Sequence, residues 1–259
     1  MPLKDSRLCA AAVAVIVAAW AVACGDTEKP GTEISPPPGA KQVDVSKTGR
    51  VAGRVQLDGP VPAEPPINVP MDAVCSRELK DAPPDAFVTN DGGLENVFVS
   101  VKDGLDGYYF ETPADPVRLD QKGCRYSPKV FGVRVGQPIE FTNSDPTVHN
   151  VHAIANANRG FNFTQQIAGM RDTRTFKARE VMVHVKCDVH PWMHAYAGVL
   201  DHPYLAVTAS GGRFDLKNVP PGSYTVEAWH EKLGTRTQKV TVREGEGTEI
   251  SFRFSTTGS

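Results

Sequence analysis

The sequence predicts an all-β protein: a β-sandwich or barrel, with a second small β-sandwich beside it. Three observations predict this. Runs of roughly five to nine residues rich in Val, Thr and Phe recur along the chain, as half-buried strands require. Glycine and proline are plentiful, at 23 and 21 of 259 residues, and they fall between those runs as turn signals. No helical periodicity persists beyond a turn or two. The length allows one large core or two small ones, and a change of pattern near Val117 favours two. A formal net charge of −2 gives no footprint for a phosphate backbone, so nucleic acid is excluded as a partner.

The N-terminus reads as a targeting segment. Lys4 and Arg7 precede an apolar run from Leu8 to Ala23, which falls short of the roughly eighteen residues a spanning helix needs. Residues 1–23 are therefore expected to be a signal peptide. "AVAC" before Gly25 resembles the lipobox of bacterial lipoproteins, which implies lipidation of Cys24 and a periplasmic, membrane-anchored protein. Residues 24–47 are rich in Pro, Gly and charge and read as a tether.

The strands follow in order. "GRVAGRVQL" (Gly49 to Leu57) alternates Val with polar residues and ends at Gly59 and Pro60. Residues 58–91 are proline-rich and irregular, and "LENVFVSV" (Leu94 to Val101) is the next strand. From Val117 the strands come at close intervals: "VRLDQ", "VFGVRV", "QPIEFTN", "HNVHAIA", "TRTFKA" and "VMVHVKC". After Leu200 a further set begins, "GRFDL", "SYTVEAWH", "RTQKVTV" and "TEISFRF", with the turn "KNVPPG" inside it.

Chemistry concentrates in "CDVHPWMHAY" (Cys187 to Tyr196). With Cys9 expected to leave with the signal and Cys24 as the candidate lipid site, Cys75, Cys124 and Cys187 remain in the folded part. In an oxidising compartment one disulfide plus one protected thiol accounts for three, and only Cys187 has histidines around it. Cys75 is therefore paired with Cys124, the alternative being two buried free thiols. Pro191 forces the chain out of regular pairing after Cys187, which brings His190 and Met193 back beside the thiol. A further ligand is sought in "SDPTVHNVHAI", where His149 follows a turn and opens a strand. Two imidazoles, a thiolate and a weak thioether form the donor set of single-electron copper centres, so His149, Cys187, His190 and Met193 are the candidate copper ligands. A zinc or copper site of one cysteine and three histidines, with His194 replacing Met193, is the alternative. His152 and His194 are otherwise expected at the surface or in support of the site, His184 facing solvent, and His202 and His230 as structural residues.

The spacing of "CDVHPWM" and the "VHNVH" segment resemble short-loop cupredoxins of the amicyanin type. "CRYSPKVFGVRVGQPIEFTN" is similar to the strands preceding the first copper histidine in plastocyanin-like proteins. The likeness covers about a third of the chain, and it implies a Greek-key cupredoxin domain over 117–202 holding one type 1 copper ion. It also implies that Asn150 braces the site and supports the thiolate. Lys186 departs from the pattern, standing where an aromatic residue or histidine is usual. "SGGRFDLKNVPPGSYTVEAWHEKLG" and "GRVAGRVQLDGPVP" resemble the carboxypeptidase-regulatory, transthyretin-like β-sandwich. Its parts, 48–116 and 203–255, would then host the copper domain as an insertion, two sequential modules being the alternative.

The reading as a whole is a periplasmic blue-copper protein that is tethered to a membrane and shuttles single electrons, not an enzyme. No His-x-His pair is present for a trinuclear copper cluster, and a binuclear copper site would need a second cysteine nearby. His190 is expected to be the exposed outlet for the electron, with a redox partner (cytochrome or oxidoreductase) docking at Pro191 and Trp192. Copper binding and delivery is the competing function.

Overall fold

Period-two alternation of apolar and polar residues sets most of the strands. In the computed structural model, residues 36–69 and 72–256 are described. The expected signal peptide, Cys24 and the first part of the tether lie outside the described residues. In chain order the elements are β1 (Gly49–Asp58), α1 (Ala73–Glu78), β2 (Thr89–Asn90), β3 (Gly93–Leu94), β4 (Phe98–Asp103), β5 (Val117–Gln121), β6 (Tyr126–Ser127), β7 (Val130–Arg134), β8 (Pro138–Asn143) and β9 (His149–Ile154). There follow β10 (Phe161–Gln165), β11 (Arg171–Thr175), β12 (Glu180–Lys186), β13 (His194–Leu200), β14 (Leu205–Val207), β15 (Arg213–Val219), β16 (Gly222–His230), β17 (Gly234–Val242) and β18 (Gly247–Ser255). The protein is all-β, with one short α-helix and two 3₁₀ turns among the described residues.

The strands form four sheets in two sandwiches. One sandwich is built from both ends of the chain: a sheet in the order β15-β1-β3-β2, with β18 joined parallel to β1, faces a sheet in the order β14-β4-β16-β17. Val51, Val55, Leu94, Val99, Val226, Phe252 and Phe254 fill the space between them. The other sandwich uses the middle of the chain, with sheets β10-β9-β12-β13-β7 and β11-β8-β5-β6 around Leu119, Ile139, Phe141, Val151, Val183, Val185 and Phe176. At about 25 cal/mol per Å² of apolar surface, each such core supplies the main drive for its own sandwich.

The two sandwiches meet where small residues let large ones in. A Cβ on Gly198 of β13 would lie 2.2 Å from the Phe98 ring, and one on Gly132 of β7 would lie 2.4 Å from Leu205. Glycine at both positions therefore lets β4 and β14 approach the β13-β7 edge closely. Val130, Leu200, Tyr196 and Trp229 complete this seam. Lys129 is buried there too, paired with Asp85 and with Glu231, the latter at 2.8 Å.

Four details depart from the expected elements. "LENVFVSV" is not one strand: Asn96 has φ 58° and its N–H bonds to Thr208 O, so Leu94 stays in one sheet while Phe98 starts in the other. "TRTFKA" is displaced, because β11 ends at Thr175 and Phe176 turns into the core. β10 was not expected and pairs with β9 along its whole length. The tether is also structured earlier than Lys47. Lys41 donates its backbone N–H to Gly107 O and accepts from Tyr109 N–H, with its ammonium 5.6 Å from the centre of the Tyr108 ring.

Candidate metal centre

The loop after β12 is closed by its own backbone. Met193 N–H donates to His190 O at 2.9 Å, and Cys187 N–H donates to Met193 O at 3.1 Å. This tight return brings Cys187 and His190 side by side, with Sγ 3.8 Å from Nδ1. His149 opens β9, immediately after a turn in which Asp145 N–H bonds to the Asn143 side chain. Its Nδ1 lies 3.0 Å from His190 Nδ1, and one donor atom from each of His149, Cys187 and His190 falls within 4.8 Å of the others. Donors 3.0 and 3.8 Å apart are spaced as corners of a shell about 2.0–2.3 Å from a central ion. The residues present therefore fit a soft-to-intermediate metal ion such as copper or zinc.

Met193 is buried in the same core cluster as Cys187. His194 has the opposite parity on β13, and its ring sits 5.8 Å from His184 and 6.5 Å from Tyr196. That places it on the outer face of the sheet, away from Cys187. His152 is on that face as well, bonded to Asp188 at 3.0 Å. His184 does not face open solvent: it is half-buried and stacked on Tyr196 at 5.0 Å, because Trp229 of the other sandwich covers that tyrosine. His202 and His230 are buried at a distance from Cys187 in sequence and in cluster, beside Tyr204 and Phe254 respectively.

Asn150 ties the pieces together. Its backbone N–H donates to Cys187 Sγ at 3.3 Å, its Oδ1 accepts from Asp188 N–H at 3.1 Å, and its Nδ2 donates to Asn162 and to Phe163 O on β10. The β9 backbone is thereby locked to the cysteine loop. Tyr126 adds a bond from its hydroxyl to Asn150 O.

His190 is buried, with only 3% of its surface exposed, so the expected exposed outlet is corrected. The residues around α1, more than a hundred positions earlier in the chain, lie over it and pack into the same core through Cys75 and Leu79. The Cys75–Cys124 disulfide fastens them there, with Cα atoms 5.5 Å apart. Cys75 Sγ stands 3.8 Å from His190 Nε2, and Asp72 Oδ2 stands 3.3 Å from the same nitrogen. A second cysteine sulfur thus lies beside the candidate centre after all, engaged in the disulfide. On the other histidine, Asp145 Oδ2 is 2.9 Å from His149 Nε2. Neither aspartate was among the residues singled out from sequence. Asp145 had a signal, four residues before His149 in a turn; Asp72 could be read as a helix cap, but nothing tied it to His190.

Charge follows from this packing. Burial opposes ionisation of Cys187 more than any other influence, yet bonds from His149, His190 and the Asn150 N–H together bring the thiol down to about 6. Burial likewise disfavours the imidazolium of His149, but Asp145 and Cys187 outweigh it and raise the group to about 9. Asp145 and Asp72 are both lowered, the hydrogen bonds they accept overcoming their own desolvation. Negative charge thus gathers about two imidazoles, as a cation site requires. Beside the centre, a hollow of about 840 Å³ is lined by Pro65, Pro66, Ile67, Val148, Val189 and Trp192, with the His190 edge at its wall.

Comparison with known proteins gives the following. Residues 200–255 match the model of the carboxypeptidase regulatory-like domain. No curated protein matches the chain. Among solved structures, the copper-containing nitrite reductase of Thermus scotoductus SA-01 is 22% identical with a TM-score of 0.32, over 39% of this chain and 25% of that one. A purple cupredoxin from Nitrosopumilus maritimus is 22% identical with a TM-score of 0.28, over 32% of this chain and 98% of that one. A Cu(I) form of an amicyanin variant is 21% identical with a TM-score of 0.30, over 34% and 85%. The matched stretch spans about a quarter of the nitrite reductase.

Proposed function

We propose that the chain binds one copper ion through His149, Cys187 and His190, with Met193 as a weak further donor, and passes single electrons to a redox partner. The observation that carries the reading is the convergence of two imidazole Nδ1 atoms, 3.0 Å apart, with one sulfur inside a buried pocket. Bound copper would supply a one-electron couple served by both soft and nitrogen donors. The chain's own part is to hold those donors still. The Met193-to-Cys187 backbone bond, the Asn150 bonds and the sheet leave little room for ligand movement, and small movement means little reorganisation when charge changes. Burial of all three donors also favours retention of the ion over its delivery, since handing an ion on requires an acceptor to reach the ligands.

The electron's route would pass the hollow beside His190 and not an exposed imidazole. Val148 and Val189 are exposed there next to Pro191 and Trp192, and a partner with an apolar face fits that surface. Lipidation of Cys24 would hold the protein at the periplasmic face of a bacterial membrane, where such partners work. Loading the protein with Cu(II) tests the reading. An intense visible thiolate-to-copper band, lost in Cys187→Ser and bleached reversibly by a one-electron reductant, is expected; a colourless protein that prefers zinc overturns it.

A further inference from the structure

Each of the two imidazoles is held from behind by a carboxylate, and the two carboxylates reach the site from distant parts of the sequence, 118 positions before His190 for Asp72 and four before His149 for Asp145. We infer that Asp72 and Asp145 are positioning residues of the metal centre, each taking the Nε2–H of one histidine so that its Nδ1 faces Cys187. The inference rests on the metal-binding reading above. A neutral imidazole carries a proton on one nitrogen only, and an acceptor at 2.9 Å from His149 Nε2 and another at 3.3 Å from His190 Nε2 fix it on the outer side. With both rings neutral, the inner nitrogens would present two lone pairs 3.0 Å apart, away from water's screening, which a cation between them would take up.

Both carboxylates are themselves held. Asp145 Oδ1 accepts from Gly123 N–H at 2.7 Å, and its Oδ2 accepts from Cys124 N–H at 2.8 Å. Asp72 Oδ1 caps α1 by accepting from Val74 and Cys75 N–H, each at 2.8 Å, and its Oδ2 accepts from the Thr147 hydroxyl at 2.6 Å. Cys75 follows one carboxylate and Cys124 bonds the other, so the disulfide joins the two supports into one clamp. The segment that carries α1, packed into the same core through Cys75 and Leu79, therefore completes the centre. Two extra negative charges close to the ion stabilise its higher valence, which places the reduction potential below that of the same centre without them.

Two measurements test this. In zinc-loaded protein carrying ¹⁵N-histidine, long-range ¹⁵N–¹H correlations should show Nδ1 bound to metal and Nε2 protonated in both rings. Metal bound through Nε2 of either ring overturns the inference. Asp72→Asn, which keeps an oxygen for the α1 cap, and Asp145→Asn, which keeps one of the two oxygens that hold the turn at 123–124, should lower zinc and copper affinity about 10–100-fold and raise the copper potential. Urea midpoints of the metal-free variants separate this from a loss of fold. Unchanged affinity and potential in both variants overturns the inference even where the protein is blue. A colourless copper complex removes the electron-transfer reading instead, and the zinc measurement still decides the role of the two aspartates.

Discussion

Met193 and His194 differ by one position and by everything that position decides. On a strand, neighbours point to opposite faces. Met193 lies in the core with Cys187, while His194 lies outside with His184 and Tyr196. Met193→Leu conserves volume, so it should cost less than about 1.5 kcal/mol of stability. It should keep the copper colour and raise the potential, because a weak donor to the oxidised ion is lost. His194→Ala should leave spectrum and potential unchanged, as read by visible absorption and voltammetry. A loss of colour in His194→Ala with none in Met193→Leu would reverse the ligand assignment. The candidate ligands were legible because three of them crowd one short loop, where spacing alone brings them together. Asp72 was not, since its place depends on how a proline-rich excursion more than a hundred residues upstream folds back.

At the scale of elements, α1 shows how little of that excursion is self-supporting. Six residues are too few for a helix to persist by propensity, and nucleation alone is unfavourable. Its order comes from the Asp72 cap, from the packing of Leu79 in the core, and from the disulfide, which closes a separation of 49 residues. The chain-entropy estimate for such a loop is about 4 kcal/mol. Cys75→Ala/Cys124→Ala should therefore lower unfolding stability by roughly 2–4 kcal/mol in urea titration, and hydrogen exchange across 72–79 should quicken more than in β9 or β12. Equal quickening everywhere would mean that the bridge supports the fold at large and not this lid. The strands with Val-rich alternation were legible, and so was the pairing of these cysteines. β10 was missed because "FNFTQ" sits between polar, glycine-containing stretches with no β-branched pair to mark it. The break after Leu94 was missed because only the structure shows an asparagine at positive φ carrying the chain from one sheet to another.

For the whole molecule, the sandwich formed from both ends of the chain carries two buried histidines that matter to acid stability. His202 and His230 are 2% and 1% exposed. Burial is the main cause that pushes each down to about 4 from 6.5. Each also uses Nδ1 as an acceptor, from Tyr204 N–H at 3.2 Å and Lys232 N–H at 3.3 Å, a role that protonation of that nitrogen ends. Above pH 6.5 both folded and unfolded chains hold these rings neutral, and they make no pH-dependent contribution. Between pH 6.5 and about 4 the unfolded chain takes up protons that the folded chain refuses, so stability falls as pH falls; below about 4 the loss is complete. The size is on the order of 3 kcal/mol for each ring. Carboxylates with lowered values act below their ordinary range near 4, so they leave most of this window to the histidines. His149, raised to about 9, is protonated in both states below about pH 6 and adds little slope there. Urea midpoints measured from pH 7 to pH 4 should thus fall more steeply in the natural sequence than in His230→Phe. The variant begins weaker at pH 7, having left the Lys232 N–H without its acceptor, and should draw level or move ahead by pH 4.5. Parallel pH profiles for the two proteins would mean that His230 is protonated in the fold as readily as in the unfolded chain.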